Sequence, residues 1–379
     1  MRIGIICHST PGGSGVVATE LARALACRGH TVYLLSAEAP LRLDNCLPNL
    51  YFHQVVPSDY SVFRFRPYES ALAGRLVRLA KQGLDLVHAH YAIPHAISAF
   101  LAQAILQQAG IYLPFLTTLH GTDTTLVSQD PDLWEVVRFA LQGSAAVTAV
   151  SEALARESQV NFGLSSLPKV IPNFVDLQSF SPSAYNGRLR AAYAQPEELL
   201  LVHASNFRPV KQTPQLLEIL RELLEIGLSA RLLLIGDGPE RAACEKKAYE
   251  LGLYGRVHFT GTLQSIAPLL AIGDIFVFTS AYESFGLAAL EAMACGVPVV
   301  APAVGGLPEL IQENAGRLYP ANDWRAAREA ILEVYRQHTL YRAGALRRAS
   351  LYAVERIVPQ YEALYQEALE LPVSHLLPA

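Results

Sequence analysis

Two glutamates eight positions apart lie in the stretch AYESFGLAALEAMACGVPVVA, residues 281–301. Glu291 has apolar neighbours, and ionised carboxylates are almost never buried without a partner. Carboxylates also accept hydrogen bonds from sugar and ribose hydroxyls. Glu283 and Glu291 are therefore candidates to bind a sugar and a ribose. The alternative is that Glu283 only begins a helix and Glu291 only joins a buried ion pair.

A second stretch, HASNFRPVKQ at 203–212, carries two cations three residues apart. Arg208 offers a planar fork of donors and Lys211 a point charge, a combination that suits a diphosphate. The stretch does not match the Walker A pattern. Taken alone, two such residues are more often solvated loop cations.

A glycine-rich segment follows the first predicted strand, with Gly12, Gly13 and Gly15 ahead of a helical pattern. Such glycines let backbone N–H groups approach an anion at the start of a helix. Read from Gly13, the segment also matches the dinucleotide pattern G-x-G-x-x-A, with Glu38 as the ribose carboxylate. The first glycine lies too far from the strand, and Glu38 a few residues too far on. A site for another anion or a sugar is therefore favoured over a nicotinamide cofactor or a plain turn.

Two further turns follow predicted strands in the second half of the chain. In IGDGPER at 235–241, Gly236 and Asp237 precede a helix that starts with proline. TGTL at 260–263 ends in Leu263, whose backbone can meet a flat base. Each turn alone specifies only a connection between a strand and a helix.

Polar side chains end two predicted strands of the first half, HAHYAIPH at 88–95 and TTLHGTD at 117–123. Their histidines and aspartate match no zinc-binding spacing, so hydrogen bonding is favoured over metal ligation. Arg138 lies on a helical pattern after these loops, and an isolated arginine there is most often solvated. The polar set is His88, His90, Tyr91, His95, Thr117, Thr118, His120, Thr122 and Asp123.

The elements that must position these loops alternate between short β-branched runs and longer helical periods such as 214–228. The runs are almost continuously apolar, as expected of strands buried on both faces of a parallel sheet. The alternation occurs twice, on either side of a polar stretch at 176–198. Two doubly wound α/β domains are predicted, with ligands beyond the carboxyl ends of the strands. The predicted strands are 2–7, 31–37, 50–56, 84–90, 114–120, 145–151, 169–173, 199–205, 230–236, 256–261, 274–280, 297–303 and 316–320.

Composition favours a globular protein of two domains. The chain has 379 residues, is 51% hydrophobic and 17% charged, and carries a net charge of −4. Without a basic patch it is not expected to bind nucleic acid. Its five cysteines are widely spaced and form no CxxC pair, which argues against a disulfide framework or a zinc site. The apolar runs are too short for a signal peptide or a membrane span, so we expect a cytoplasmic protein without a stable membrane anchor.

Together these loops resemble the retaining family-4 glycosyltransferases of the GT-B fold, over essentially the whole chain. The E-x7-E element with its Phe285–Gly286 pair is the most specific match, and GVPVVAPAVGGLPELI at 296–311 is also typical. Within the family, the first half looks most like members that glycosylate L-malate. The other residues that carry the resemblance are Gly12–Gly15, His120–Thr122, Arg208, Lys211, Gly236–Pro239 and Glu291–Ala294.

This resemblance implies an α/β GT-B architecture of two Rossmann-like domains facing across a cleft. Residues 1–175 are expected to form the acceptor-binding domain, completed by a C-terminal helix at about 355–372 that crosses back to it. Residues 176–354 are expected to form the domain that binds the nucleotide-sugar donor. Pro359 is expected to kink the C-terminal helix.

The resemblance further implies transfer of N-acetylglucosamine from UDP-N-acetylglucosamine to the hydroxyl of L-malate, the first step of bacillithiol biosynthesis. Retention is implied, as is independence of metal ions and other cofactors; both partners are small molecules, and a homo-oligomer is left open. Catalytic roles are implied for His120, Arg208, Lys211 and Glu283. Donor contacts are implied for Gly13, Ser205, Asn206, Arg208, Lys211, Gly236, Asp237, Leu263, Glu283, Ser284, Phe285, Gly286, Leu287 and Glu291.

Malate is a dianion, so its site should hold cations and hydroxyls. Retention suggests a carboxylate near the anomeric carbon, and Asp123 is the nearest candidate in the sequence. Same-face attack is favoured instead, with the departing phosphate accepting the proton of the malate hydroxyl. Acceptor contacts are expected for Ser14, Arg64, Tyr91, Thr118, His120, Thr122 and Arg138.

Three other functions stay open on the sequence alone. The first is a family-4 transferase with another acceptor, such as an inositol phosphate or a lipid-linked sugar. The second is a nicotinamide-dependent oxidoreductase that uses the glycine-rich segment. The third is a two-lobed sugar-binding protein without catalysis.

Overall fold

A computed structural model describes residues 1–10, 12–44, 46–57, 67–125 and 127–371. The predicted acceptor residue Arg64 lies outside the described residues. The chain divides into two compact units, one formed by Met1–Pro172 with the C-terminal segment from Glu355, the other by Asn173–Val354.

The first unit is built on a parallel sheet of seven strands. The strands are β1 (Arg2–Ile6), β2 (Thr31–Ser36), β3 (Leu50–Gln54), β4 (Leu86–His90), β5 (Phe115–Leu119), β6 (Ala146–Ala149) and β7 (Lys169–Val170). Their order is β3-β2-β1-β4-β5-β6-β7. The winding reverses between β1 and β4, which is where ligands bind in such sheets. His90 is paired with Thr118 across β4 and β5, so the loops that follow these strands are neighbours.

Seven helices lie in the described part of this unit. They are α1 (Gly13–Cys27), α2 (Tyr68–Lys81), α3 (Ile97–Gln107), α4 (Thr122–Thr125), α5 (Pro131–Gln142), α6 (Glu152–Phe162) and α15 (Val354–Glu370), with short turns at Ala92–Ala96 and Val127–Gln129. Side-chain caps fix two starts: Asp130 accepts from the Leu133 N–H, and Ser151 from the Leu154 N–H. Gly163, at φ 57°, ends α6 in the left-handed conformation that glycine adopts readily.

The second unit repeats the plan with six parallel strands. They are β8 (Leu199–Ala204), β9 (Ala230–Ile235), β10 (Val257–Phe259), β11 (Ile275–Val277), β12 (Val299–Pro302) and β13 (Gly316–Tyr319). The order is β10-β9-β8-β11-β12-β13, with the reversal between β8 and β11. The helices are α7 (Gly187–Tyr193), α8 (Pro214–Glu225), α9 (Arg241–Glu250), α10 (Ala267–Ala271), α11 (Leu287–Ala294), α12 (Leu307–Leu310), α13 (Trp324–Arg336) and α14 (His338–Ser350), with short turns at Pro182–Ala184 and Pro209–Lys211.

The predicted fold class, two Rossmann-like α/β domains, is confirmed. All thirteen predicted strands occur, each of them at least one residue shorter than predicted. Residues 173–175 belong with the second unit because Val175 donates to the Tyr352 carbonyl at 2.9 Å. No helix in the described part of the chain is both long and apolar enough to cross a bilayer.

The C-terminal helix α15 packs on the first unit. Tyr365 is fully buried and its hydroxyl lies 2.7 Å from His88 Nδ1. Glu362 accepts two hydrogen bonds from the Arg28 guanidinium, at 2.8 and 2.7 Å, and lies 2.9 Å from His30 Nε2. The helix is continuous across Pro359.

We expect Glu362→Gln to lower the free energy of unfolding by about 1 kcal/mol near neutral pH. The bond to Arg28 holds the pKa of Glu362 below its ordinary value. This contribution is therefore present above an unfolded pKa of about 4.3 and is lost as the pH falls through the lower folded value. Urea unfolding near pH 7 and at a pH below the folded pKa of Glu362 measures this contribution. Glu367→Gln is the control on the same helix, because its carboxylate is 62% exposed and lies 3.4 Å from Lys169. Equal losses in the two variants would contradict the expectation.

Candidate active site

The loops after β8 and β11 bring an ion pair together at the reversal point of the second sheet. Lys211 Nζ donates to Glu283 Oε1 at 2.6 Å, and the Ser280 hydroxyl donates to the same oxygen at 2.9 Å. Glu283 is only 8% exposed, so this lysine has a fixed partner. Arg208 is exposed at the start of the Pro209–Lys211 turn. The loop thus offers one held cation and one exposed cation, a set that can bind a diphosphate.

The turn after β9 touches the end of β8 through main-chain atoms. A Cβ on Gly236, whose φ is 113°, would overlap the carbonyl oxygen of Ser205. A Cβ on Gly238 would overlap the carbonyl oxygen of Asn206. Asp237 accepts from the Gly238 N–H at 2.8 Å and pairs with Arg241 at 3.1 Å, so its carboxylate orders its own turn and α9.

Side chains at the end of β8 are also engaged. His203 Nε2 lies 2.8 Å from the Ser205 hydroxyl, and His203 Nδ1 lies 2.9 Å from the Val277 carbonyl. Burial lowers the pKa of His203 to about 4, against the opposing effect of the Val277 hydrogen bond, so the ring is neutral near pH 7. The Asn206 Oδ1 atom is buried and has no protein partner among the described residues.

The loop that follows β11 is fixed by two glycines. A Cβ on Gly305, at φ 52°, would overlap the carbonyl oxygen of Glu283, and the Gly306 N–H donates to that carbonyl at 2.9 Å. Gly286 precedes α11 with a φ of 94°, and a Cβ there would lie 2.7 Å from Leu307. These contacts fix the backbone conformation of the acidic loop, the loop after β11 that carries Glu283, and so set the position of Glu283.

Helix α11 presents its first turn next to that loop. Its first N–H groups have no acceptor within the helix, so they are available to an anion. Ser284 and Leu287 are half-buried there, while Phe285 is buried against Tyr352 at a ring distance of 5.7 Å. Glu291 lies in the second turn and is 3% exposed. Leu263, after β10, is half-buried.

In the first unit, the segment between β1 and α1 is shaped by Gly15. A Cβ on Gly15 would lie 2.6 Å from the His8 carbonyl oxygen, so the helix start lies against the end of the strand. Gly13 is exposed and Ser14 half-buried at the first turn of α1. A Cβ on Gly13 would meet nothing within 4 Å. The structure therefore gives a steric reason for Gly15 but not for Gly13.

Asp123 joins the loops after β4 and β5. Its carboxylate accepts from the N–H groups of Gly121 at 2.8 Å, His120 at 3.1 Å and Ala92 at 3.4 Å. Burial raises its pKa to about 6, against the opposing effect of these hydrogen bonds. The side chain is fully buried, and the structure gives it a structural task. It does not support Asp123 as a covalent nucleophile.

The ring of His120 is stacked with two other rings, those of His90 and Tyr91. His90 Nδ1 lies 3.0 Å from His120 Nε2, with ring centroids 5.2 Å apart, and Tyr91 stacks on His120 at 6.3 Å. Burial lowers the pKa of His120 to about 3, and the charge of His8 adds to the shift. Tyr91 has a φ of 98°, a conformation that costs a non-glycine residue about 1–3 kcal/mol and is found mostly at functional sites.

The expected acceptor residues are not all on the surface. Thr118 is fully buried, and its hydroxyl is bonded to His88 at 2.7 Å and Thr148 at 2.6 Å, so it supports the core instead of facing a ligand. Thr122 is half-buried at the start of α4. Arg138 lies 5.2 Å from the Trp134 ring centroid. Among the described residues its nearest carboxylate, on Glu135, is 4.0 Å away, and its Nε has no partner.

Comparison with known proteins identifies the family. The Glycosyltransferase Family 4 domain matches residues 11–179, and the domain described as Glycosyl transferases group 1 matches residues 188–345. Over 376 residues the chain is 39% identical to N-acetyl-alpha-D-glucosaminyl L-malate synthase of Bacillus anthracis, which covers 97% of each chain. The chain belongs to the retaining family-4 glycosyltransferases of the GT-B fold.

One further relative agrees with this family, and two solved structures show the same fold. A D-inositol 3-phosphate glycosyltransferase of Actinosynnema mirum is 28% identical over 95% of this chain and 93% of that protein. The solved structure of Anabaena HepE in complex with UDP and glucose has a TM-score of 0.77 at 23% identity, covering 97% of this chain and 99% of that one. Sucrose-phosphate synthase of Thermosynechococcus elongatus has a TM-score of 0.78 at 24% identity, with 97% and 98% covered.

The structure of this glycosyltransferase shows several contacts that the sequence did not reveal. Gly305 fixes the path of the acidic loop, and the only signal for it was the Gly-Gly pair in a family-typical stretch. Asp123 follows His120 by three residues, a spacing at which a carboxylate can accept from nearby N–H groups. The contact between His90 and His120 had no sequence signal, because the two residues lie on different strands.

We expect Gly238→Ala to destabilise this glycosyltransferase by about 1–3 kcal/mol, because the new methyl group displaces the Ser205–Asn206 backbone. Urea unfolding measures the effect. Gly187→Ala is the matched control in the same unit, since a Cβ there meets only Tyr185, at 3.9 Å. If the two variants behave alike, the close approach at Gly238 does not constrain the site.

Proposed function

We propose that this glycosyltransferase moves N-acetylglucosamine from UDP-N-acetylglucosamine to the hydroxyl of L-malate, with retention, and yields UDP. The observation that carries this assignment is the 39% identity to the L-malate synthase of Bacillus anthracis over 97% of both chains. A similarity that spans both units includes the loops for both substrates. The reaction would open bacillithiol biosynthesis.

The second unit supplies charge for the departing UDP. The bond between C1 of the sugar and a phosphate oxygen breaks, and negative charge develops on the diphosphate. Arg208 and Lys211 are the cations at this sheet edge, and Glu283 holds Lys211 at 2.6 Å. These two cations and the first turn of α11 can stabilise that charge, and we propose that no metal ion takes part.

Malate attack completes the exchange of bonds. Its hydroxyl oxygen bonds to C1 on the face that UDP leaves, and its proton passes to the departing phosphate oxygen. The buried, fully bonded state of Asp123 supports this route over a covalent intermediate on that residue. His120 is proposed to contact the transferring sugar.

The proposed malate site uses Arg138. Its guanidinium lies over the Trp134 ring, and among the described residues its only carboxylate neighbour is the exposed Glu135 at 4.0 Å, so its terminal donors can serve a dianion. Ser14, Tyr91 and Thr122 are the half-buried residues of the described chain proposed to complete the site. Thr118 is not proposed to contact malate, because its hydroxyl is already hydrogen-bonded to His88.

A second acceptor class has some support. The chain is also 28% identical to a D-inositol 3-phosphate glycosyltransferase, and Arg138 would serve a phosphate as well as a carboxylate. The family assignment leaves the nicotinamide alternative without support. The acceptor is therefore the point that the first experiment must decide.

We expect UDP release from UDP-N-acetylglucosamine to depend on L-malate and to persist in EDTA. A coupled UDP assay with and without malate, with product mass by mass spectrometry, measures it. The product mass should equal that of N-acetylglucosaminyl malate. Inositol 3-phosphate serves as the competing acceptor in a parallel reaction. Release with that acceptor alone would overturn the malate assignment, and complete loss of activity in EDTA would overturn the proposal of metal independence.

We expect Arg138→Met to raise the KM for malate by about tenfold to a hundredfold, the worth of a charge-assisted hydrogen bond. The KM for UDP-N-acetylglucosamine should stay unchanged. Arg156→Met is the control, because Arg156 is 69% exposed and pairs only with Glu152 on its own helix. Steady-state kinetics with each substrate varied in turn would separate the two. An unchanged malate KM in Arg138→Met would remove Arg138 from the acceptor site.

A further inference from the structure

We propose that His90 is a positioning residue that holds His120 in one tautomer, with its proton on Nδ1, so that His120 is a fixed hydrogen-bond donor toward the substrate. The inference rests on the proposed function, in which His120 contacts the transferring sugar. It concerns a residue that lies behind the site, fully buried at the end of β4.

The geometry joins the two rings through one hydrogen bond. His90 Nδ1 and His120 Nε2 are 3.0 Å apart, and the rings are stacked with an interplanar angle of 27°. A bond between two neutral imidazoles needs a proton on one nitrogen and a lone pair on the other. Burial lowers the pKa of both rings far below 7, so both are neutral under ordinary conditions.

The other nitrogen of His90 decides the direction of the bond. His90 Nε2 is buried and has no hydrogen-bond partner among the described residues. If His90 accepted at Nδ1, its only proton would be on Nε2, a buried donor without an acceptor. If it donates from Nδ1, only a lone pair is left unsatisfied. Buried donors without acceptors are rarer in proteins than unsatisfied acceptors, so His90 donates.

The tautomer of His120 follows from this direction. Its Nε2 accepts from His90, so the single proton of the neutral ring is on Nδ1. His120 is only partly buried, so its Nδ1–H has access to solvent or to a ligand. Every N–H of the pair is then satisfied. The same arrangement gives His120 a donor that points away from His90 without any charge on the ring.

The rest of the cluster holds His90 in place. His95 Nδ1 lies 2.7 Å from the His90 carbonyl, and since a carbonyl only accepts, His95 donates. The His88 ring stacks on His90 with centroids 4.2 Å apart and is itself bonded to Tyr365 and Thr118. His90 therefore cannot rotate away from His120 without breaking a packed set of rings.

The first test reads the tautomer in the wild-type protein. Histidine-selective ¹⁵N labelling, with the His120 signals assigned by their absence in His120→Gln, shows which ring nitrogen carries the proton. We expect the proton on Nδ1. A proton on Nε2 would overturn the inference, whether or not the enzyme transfers to malate. If malate-dependent transfer is absent, only the proposed function falls.

The second test removes the donor. In His90→Phe, which keeps a ring but no nitrogen, we expect His120 to show both tautomers and kcat to fall about tenfold, with little change in the KM for malate. His90→Asn, whose amide nitrogen can replace Nδ1, should restore the tautomer and most of kcat. Tyr365→Phe removes one buried hydrogen bond of the same cluster without touching His120, and should leave both readouts unchanged. Equal losses in Tyr365→Phe and His90→Phe would overturn the positioning role.

Discussion

Main-chain contacts that leave no room for a side chain hold the loops of the second unit in place. Gly236 and Gly238 lie against the carbonyls of residues 205 and 206, and Gly305 lies against the carbonyl of Glu283. The loop that carries Lys211 and the loop that carries Glu283 are also joined directly, because the Ala281 N–H donates to the Val210 carbonyl at 2.8 Å, so the two loops keep one register. That register brings the Lys211 and Glu283 side chains within bonding distance. Their bond then offsets the conformational entropy that the lysine side chain loses when it is ordered.

The first unit solves the same problem with a buried carboxylate. Asp123 gathers the N–H groups of the loops after β4 and β5, and these hydrogen bonds offset the cost of burying its charge. The arrangement fixes His120, whose own N–H is one of the donors. It also limits mechanism, since a carboxylate whose oxygens are committed to the backbone is a poor nucleophile. This agrees with the proposed route, in which the leaving phosphate takes the proton of the acceptor hydroxyl.

The sequence predicted the strands and their domain arrangement because buried parallel strands have a strong apolar pattern and because ligand loops follow strand ends. It also predicted that Lys211 and Glu283 belong to one site, through a family resemblance. It could not predict distances between side chains on different strands, such as that between His90 and His120. Thr118 was expected to face the acceptor because alternation along a strand does not reveal which face is the interior when both faces are buried. The structure places it in a buried network instead.

The two units treat charge in opposite ways. The second presents two basic side chains, Arg208 and Lys211, at the edge of its sheet, where negative charge can be stabilised. In the first unit, loss of contact with water lowers the pKa of His120 to about 3, so this ring is neutral near neutral pH. A neutral imidazole has a single proton, and its effect on a ligand depends on which nitrogen carries it. Burial therefore turns a residue that usually works by gaining charge into one that works by orientation, which makes the neighbour that sets this orientation part of the function.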